Sequence, residues 1–403
     1  MKKIILSAFA CQPGKGSEEG GGWNWSAGLA KQGYEVHCLT WDLNKTFIET
    51  APPLANLHFH YISMPNITKK MYYAPGSSVY GVYLLWQFLA YRKAKRLHKT
   101  LKFDIAHHVS WGNLQMGSLL YKLDIPFIFG PSGGGQKAPE AFKEYFRDNW
   151  AVEVKREKVS DLLLKYNPAC KNMLKRAHAV LVSNRDTQKV AMDAGAKNCY
   201  FSFDAALPES YFPAELKAKQ PTPGQLNLLW VGRFEARKGL LLTLDVMRHL
   251  KSYPQIKLTV VGFGEREQEI TDYVRDNNLA NTVTLTGKVP YEMVRGYYAS
   301  HDVFFFTSLR DSGPAQLVEA MAFGMPVVTL NLHGQAVIVN DETGIRCSVE
   351  SPGKTIAELK TALIELLDHP EKITKMSAAA AKFARMQTWP EKIANITKKY
   401  YPT

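Results

Sequence analysis

The sequence predicts an α/β protein built from two doubly wound, mostly parallel-sheet domains. Three observations carry that prediction. The chain has 403 residues, more than one hydrophobic core usually supports, so two domains of roughly 200 residues are expected. Short β-rich runs alternate with helix-period segments along both halves, as parallel strands joined by crossover helices require. A polar stretch at 213–225, bearing Pro213, Pro221, Pro223 and Gly224, interrupts the alternation, which then restarts.

In the first half, residues 3–9, 34–40, 57–63, 103–109, 126–129 and 178–183 read as strands. The opening Met1, Lys2 and Lys3 followed by an apolar run imitates a signal peptide. The run is short, however, and leads straight into a glycine-rich loop, so it reads as a buried first strand. In the second half, residues 226–231, 257–261, 282–286, 303–307 and 326–329 read as strands, each followed by a helical pattern, and from Pro352 onward the chain is almost wholly helical. The expected domains are 1–212 and 213–387, with a last helix at 388–403 completing the first.

Composition narrows the class further. With 46% hydrophobic and 22% charged residues, both halves can bury a core, which excludes a disordered chain. Cys11, Cys38, Cys170, Cys199 and Cys347 are scattered and odd in number, which argues against a disulfide framework or zinc site and for a reducing cytoplasm. No run of about 18 apolar residues is present, so the chain is not expected to span a membrane. The net charge of +13 calls for an anionic partner. Arg92, Lys93, Lys95, Arg96, His98, Lys99 and Lys102 follow an aromatic and aliphatic segment at 79–91. That pattern fits an ordinary surface helix or an interfacial helix on the anionic inner face of a membrane. A nucleic-acid-binding protein is the rival from another class, but basic residues interleaved with stacking aromatics in a known module are not found.

Ligands of open parallel sheets bind at the carboxyl ends of strands, so the loops there hold the candidate chemistry. The first strand runs into Gly14, Gly16, Gly20, Gly21 and Gly22, ending at Trp23. Such a loop suits either a tight turn or a phosphate approaching backbone N–H groups. It is neither a Walker A loop nor a dinucleotide fingerprint in its usual frame. The second domain opens with Gly232, Arg233, Arg237, Lys238 and Gly239, a cationic strand-to-helix turn suited to a pyrophosphate, or else charges on a surface loop. Further on, Asp311 and Glu319 stand eight positions apart around Ser312, Gly313, Pro314 and Ala315. A helix starting near Pro314 would offer free N–H groups to ligand oxygens. By the residues alone, Asp311 is equally well a helix cap and Glu319 a surface acid.

Taken together, these segments resemble glycosyltransferase family 4, retaining enzymes of the GT-B fold, over nearly the whole chain. The resemblance rests on Gly16 in its loop, on the Arg233 to Gly239 turn, and on the acid pair leading to Gly324 and Pro326. Smaller matches at Gly262, Gly264 and Glu265, at Gly287, Lys288, Val289 and Pro290, and at Thr343, Gly344 and Ile345 follow in order. It implies two Rossmann-like domains facing a central cleft, the first binding an acceptor and the second a nucleotide diphosphate sugar, UDP- or GDP-linked. Arg233 and Lys238 would hold the diphosphate and Glu319 the ribose hydroxyls. Asp311 would meet the donor sugar, with Ser312, Gly313, Pro314 and Ala315 lining the sugar and phosphate pocket. Gly16 and Gly264 would lie by the donor, Lys288 and Val289 near the base, and Trp23 on the acceptor side.

The chain departs from the family where the first acid, usually glutamate, is Asp311. It departs again after the fourth strand, where the family's histidine position is Val109; His107, of the same strand parity, is the preferred substitute and His108 the alternative, and both can equally be core histidines. Gly134 and Gly135 follow the fifth strand as a possible sugar-pocket turn. The implied activity is transfer of a hexose-type sugar to a glycan or lipid-linked acceptor in bacterial surface polysaccharide or glycolipid assembly. The chain lacks an Asp-x-Asp pair, and the cationic turn can replace a diphosphate-bound ion, so no metal or other cofactor is expected to be required. A nucleotide-sugar epimerase or a phosphorylase shares the fold, although no pyridoxal-binding lysine motif is evident.

Overall fold

A computed structural model describes residues 1–74, 79–216 and 218–402. Lys217 of the interrupting stretch and Thr403 of the expected last helix lie outside them. The chain forms two units: Met1–Gly135 with Lys158–Asp204 and Trp389–Thr403, and Gln136–Glu157 with Ala205–Thr388.

The first unit holds strands β1 (Lys3–Ala8), β2 (Glu35–Trp41), β3 (Leu57–Ile62), β4 (Ile105–Ser110), β5 (Phe127–Ser132), β6 (Ala179–Val182) and β7 (Cys199–Phe201). They make one sheet in the order β3-β2-β1-β4-β5-β6-β7, with every pairing parallel. Side chains alternate across it with the period of two that a strand imposes. Ile5 and Phe9 join Trp41, Trp86 and Phe129 on one face, while Ile4, Leu6 and Ala8 join Trp25, Leu29 and Ile393 on the other. Both faces are covered, as parallel sheets require.

The second unit holds β8 (Leu226–Arg233), β9 (Ile256–Phe263), β10 (Val283–Gly287), β11 (Val303–Phe306), β12 (Val327–Leu330) and β13 (Gly344–Cys347). Their order is β10-β9-β8-β11-β12-β13, again parallel throughout. In each sheet the chain winds outward on one side and then returns to build the other, which puts a switch point at β1/β4 and at β8/β11. Crevices form at the carboxyl ends of such strand pairs.

Residues 205–212, expected in the first domain, fall with the second unit. Residues 136–157 fall with the second unit because Phe142, Tyr145 and Phe146 are buried in its core beside Trp230, Leu242 and Leu244. Each buried phenylalanine there stabilises by roughly 1.5–3 kcal/mol. The last helix, Trp389–Tyr400, belongs to the first unit, where Ile393 packs so closely on Gly28 that a side chain at Gly28 would overlap it.

The basic segment forms the helix Val79–Leu101. It buries Val82, Tyr83, Trp86, Ala90 and Ala94, while Tyr80, Leu84 and Phe88 stay exposed at four-residue spacing, one stripe of its outer surface. No helix of the described residues is long and apolar enough to cross a membrane, and the five cysteines are free.

Candidate functional site

The neighbouring strands β8 and β11 bring two distant loops together. Between β8 and the helix Leu240–His249, the chain turns through Gly239 at φ +67°, where a side chain would also overlap the Thr307 carbonyl oxygen. Glycine is therefore required at this position twice over, by the left-handed backbone and by the close approach. The two loops are stitched by Leu309 N donating to Arg237 O at 2.8 Å, by Ser308 Oγ donating to the same oxygen at 2.9 Å, and by Thr307 Oγ1 donating to Gly239 O at 2.8 Å.

That stitching sets a chain of alternating charges. Arg233 Nε lies 3.3 Å from Glu235, Glu235 lies 2.7 Å from Arg237, Arg237 lies 3.7 Å from Asp311, and Asp311 closes on the Lys238 ammonium. The two cations named in the sequence behave oppositely. The Lys238 side chain is 7% exposed and lies over the Phe306 ring, whereas that of Arg233 is 70% exposed and reaches outward from the end of β8. Burial alone would raise the Asp311 carboxyl, but Lys238, Arg237 and Arg310 outweigh it and hold the group below the usual carboxylate range. Asp311 is thus an ion-paired carboxylate and not a helix cap. The following helix, Ala315–Ala322, is preceded by Pro314 and has no side-chain cap.

Glu319 is no surface acid either. Tyr291 and Tyr298 donate their hydroxyls to its two oxygens at 3.1 and 3.0 Å, and burial raises its carboxyl against the pull of these bonds and of Lys238. Each oxygen keeps a further lone pair. Behind Ser312 and Gly313, the backbone of Gly334 approaches so closely that a side chain there would overlap the Ser312 carbonyl. The loop 311–314 therefore rests on a fixed floor.

Other members of the second unit are placed by the fold itself. A side chain at Gly264 would stand 2.7 Å from Phe234 N, so packing between strand ends already explains this glycine. Lys288 is exposed, with its ammonium 5.0 Å from the Phe263 ring centre, and Val289 beside it is half-buried. Sequence reasoning named Arg237 within the cationic turn but gave no role to Glu235, Tyr291 or Tyr298. It also missed Arg310, whose guanidinium donates to Glu153 at 2.8 Å, and Arg156, which shares that carboxylate at 3.2 Å. No local motif marks Tyr291, Tyr298 or Arg310, whose partners lie far off in the chain.

In the first unit, Gly16 precedes the helix Ser17–Lys31 with ordinary extended backbone, and a side chain on it would meet no protein atom. Neither backbone nor packing demands glycine there. Gly20 and Gly22 differ, since side chains on them would overlap the carbonyls of Lys15 and Ala10. Trp23 is half-buried and stacks on Phe59 with ring centres 6.0 Å apart. Glu18, also missed, accepts from Gly112 N at 3.3 Å; burial, opposed by that bond, pushes its carboxyl up to about 7.

The histidines and the glycines after β5 sit in closely packed surroundings. Strand parity puts His107 and His108 on opposite faces of the sheet, and both are fully buried. His107 bonds Tyr401 Oη and Gly130 O, each at 2.8 Å. His108 bonds Ser7 Oγ at 2.9 Å and Tyr83 Oη and Trp111 O at 3.1 Å. Burial lowers His107 to about 3 and His108 to about 4, so both are neutral core residues with each ring nitrogen engaged. Gly134, at φ +128°, would drive a side chain into Gln115, and a side chain on Gly135 would lie 2.5 Å from Thr187 Cα. Close packing already explains glycine at both positions.

The two Rossmann-like units, with a cationic βα turn clasped to an acidic loop in the second, define a protein of the GT-B fold. Within it, residues 213–383 match the family described as glycosyl transferases group 1. Among curated proteins, the chain is 26% identical over 177 residues to the amylovoran biosynthesis glycosyltransferase AmsK of Erwinia amylovora, covering 42% of this chain and 43% of that protein. The chain thus spans less than half the length of that relative. Among solved structures, sucrose-phosphate synthase from Thermosynechococcus elongatus superposes with a TM-score of 0.70 at 17% identity, covering 99% of this chain and 98% of that one. Anabaena HepE in complex with UDP does so with a TM-score of 0.65 at 15% identity, covering 99% of each chain.

Proposed function

We propose that this protein is a retaining glycosyltransferase that moves a hexose-type sugar from a UDP- or GDP-linked donor to a glycan or lipid-linked acceptor, in bacterial surface polysaccharide or glycolipid assembly. The observation that carries the reading is the Lys238–Asp311 pair, held between Arg237 and the start of the helix Ala315–Ala322 inside the matched glycosyl transferases group 1 segment. The UDP in the HepE complex supports a nucleotide donor.

Cleaving the sugar–phosphate bond builds negative charge on the departing diphosphate. Lys238 and Arg233, with the N–H groups ahead of the helix, would stabilise that charge more in the transition state than before it. Because Lys238 is already held by Asp311 and packed on Phe306, little reorganisation of it is needed at the moment of reaction. Asp311 orients Lys238 and meets the donor sugar, and Glu319, steadied by two tyrosines, has lone pairs left for ribose hydroxyls. The cations take the place of a metal ion, so none is required. Retention follows if the acceptor proton passes to the leaving phosphate oxygen on the same face.

Incubating the protein with each nucleotide sugar and a candidate acceptor should release nucleoside diphosphate and a glycosylated product with the donor's anomeric configuration. Appearance of an epimer from donor alone, or an acceptor-dependent product of inverted configuration, would overturn the assignment.

The lipid-linked acceptor has its own support. The exposed stripe of Tyr80, Leu84 and Phe88, with exposed Arg92, Lys95, Arg96 and Lys99 further along the same helix, joins apolar area to positive charge as an interfacial helix does. The protein is expected to float with vesicles containing anionic lipid at low salt and to be released as salt rises. Leu84→Ser with Phe88→Ser should lose flotation, and equal flotation of this variant would remove the helix from the interface.

A further inference from the structure

We propose that Glu35, His37 and His58 form a binding site for a borderline divalent metal ion such as zinc, with His60 fixing the orientation of His37. The parallel register pairs His37 of β2 directly with His58 of β3. Period-two alternation then puts Glu35, His37, His58 and His60 on one face of two adjacent strands. One donor atom from each of Glu35, His37 and His58 lies within 4.8 Å of the others. His37 Nε2 and Glu35 Oε1 are 3.1 Å apart, close to the edge of about 3.3 Å that joins two ligands of a tetrahedral zinc ion.

The surroundings suit that role. His37 is buried beneath the Phe103 ring, and its Nδ1 lies 3.0 Å from His60 Nε2. With Nδ1–H donating to His60, the lone pair of Nε2 is free for a metal, an arrangement that orients ligating histidines in general. His58 is exposed, which supplies an entry path and leaves a fourth position for water. Two nitrogens and one carboxylate favour zinc, cobalt, nickel or copper over magnesium or calcium. Lys3 Nζ, 3.4 Å from Glu35, competes for the same carboxylate and weakens the site.

The site lies at the amino ends of β2 and the edge strand β3, in the first unit, whereas Lys238, Asp311 and Glu319 belong to the second. A metal here would clamp the sheet edge, and the expectation of metal-free sugar transfer is unaffected.

The test uses the full chain stripped with EDTA and titrated with Co²⁺ and then Zn²⁺. One equivalent of Co²⁺ should give a visible absorption band that Zn²⁺ displaces, and Zn²⁺ should raise the melting temperature while Mg²⁺ and Ca²⁺ leave it unchanged. His58→Gln alters an exposed side chain and should weaken binding at least tenfold with little change in metal-free melting. Lys3→Met should tighten binding a few-fold, a gain that no folding defect produces. A wild-type protein with no saturable cobalt band, or a His58→Gln variant of unchanged affinity, would overturn the proposal.

Discussion

Lys238→Ala is expected to slow sugar transfer about a hundredfold, the effect of removing one prearranged group worth about 3 kcal/mol to the departing charge. It should also destabilise the second unit by about 3–5 kcal/mol, because the variant leaves Asp311 without its closest cation in a largely enclosed site. The two effects separate in the double variant Lys238→Met with Asp311→Leu. Replacing both charges by apolar groups of similar size should recover most of the stability in a denaturant titration while transfer stays slow. Recovery of transfer as well would mean that the pair serves folding alone.

The same pair sets a pH dependence. Asp311 titrates below its ordinary value, so its contribution to stability is complete above the ordinary carboxylate range of about 4 and is lost as pH falls through the lower folded value. In Asp311→Asn this part of the acid limb should vanish.

Gly239→Ala is the second large effect, expected at about 2–4 kcal/mol. The left-handed backbone at φ +67° costs alanine about 1–2 kcal/mol. The new methyl group would also push against the Thr307 carbonyl and pull apart the bonds that tie Arg237 and Gly239 to residues 307–309. Gly224→Ala is the control. Its φ is +74° with open space around it, so it should show the backbone cost alone, and equal melting losses in the two variants would mean that the close approach contributes nothing.

Much of the fold was legible because its strands are buried on both faces and read as continuous apolar runs. The edge strands β7 and β13 escaped, being only three and four residues long and lacking a clear run. The capture of 136–157 by the second unit was illegible for a different reason: Phe142 and Phe146 show that the segment needs a core, but nothing local says which. At the candidate site, the glycines and cations of the β8 turn stood out because their spacing is unusual for a plain loop. Tyr291, Tyr298 and Glu153 did not, because they sit on ordinary helices and acquire meaning only from tertiary proximity to Glu319 and Arg310. For His107, strand parity tells which face the side chain takes but not that Tyr401, 294 residues away, bonds its ring.

The central claim is that the second unit binds a nucleoside diphosphate through Lys238 and Glu319 without a metal ion. Its most direct measurement is the melting temperature of the EDTA-treated protein with UDP, GDP, ADP, dTDP or CMP, compared with Lys238→Ala and Glu319→Ala. The account predicts that a diphosphate, UDP or GDP, raises the melting temperature and that both variants lose the rise. If no nucleotide stabilises the wild-type protein, or if the variants respond as it does, the donor-site assignment is contradicted.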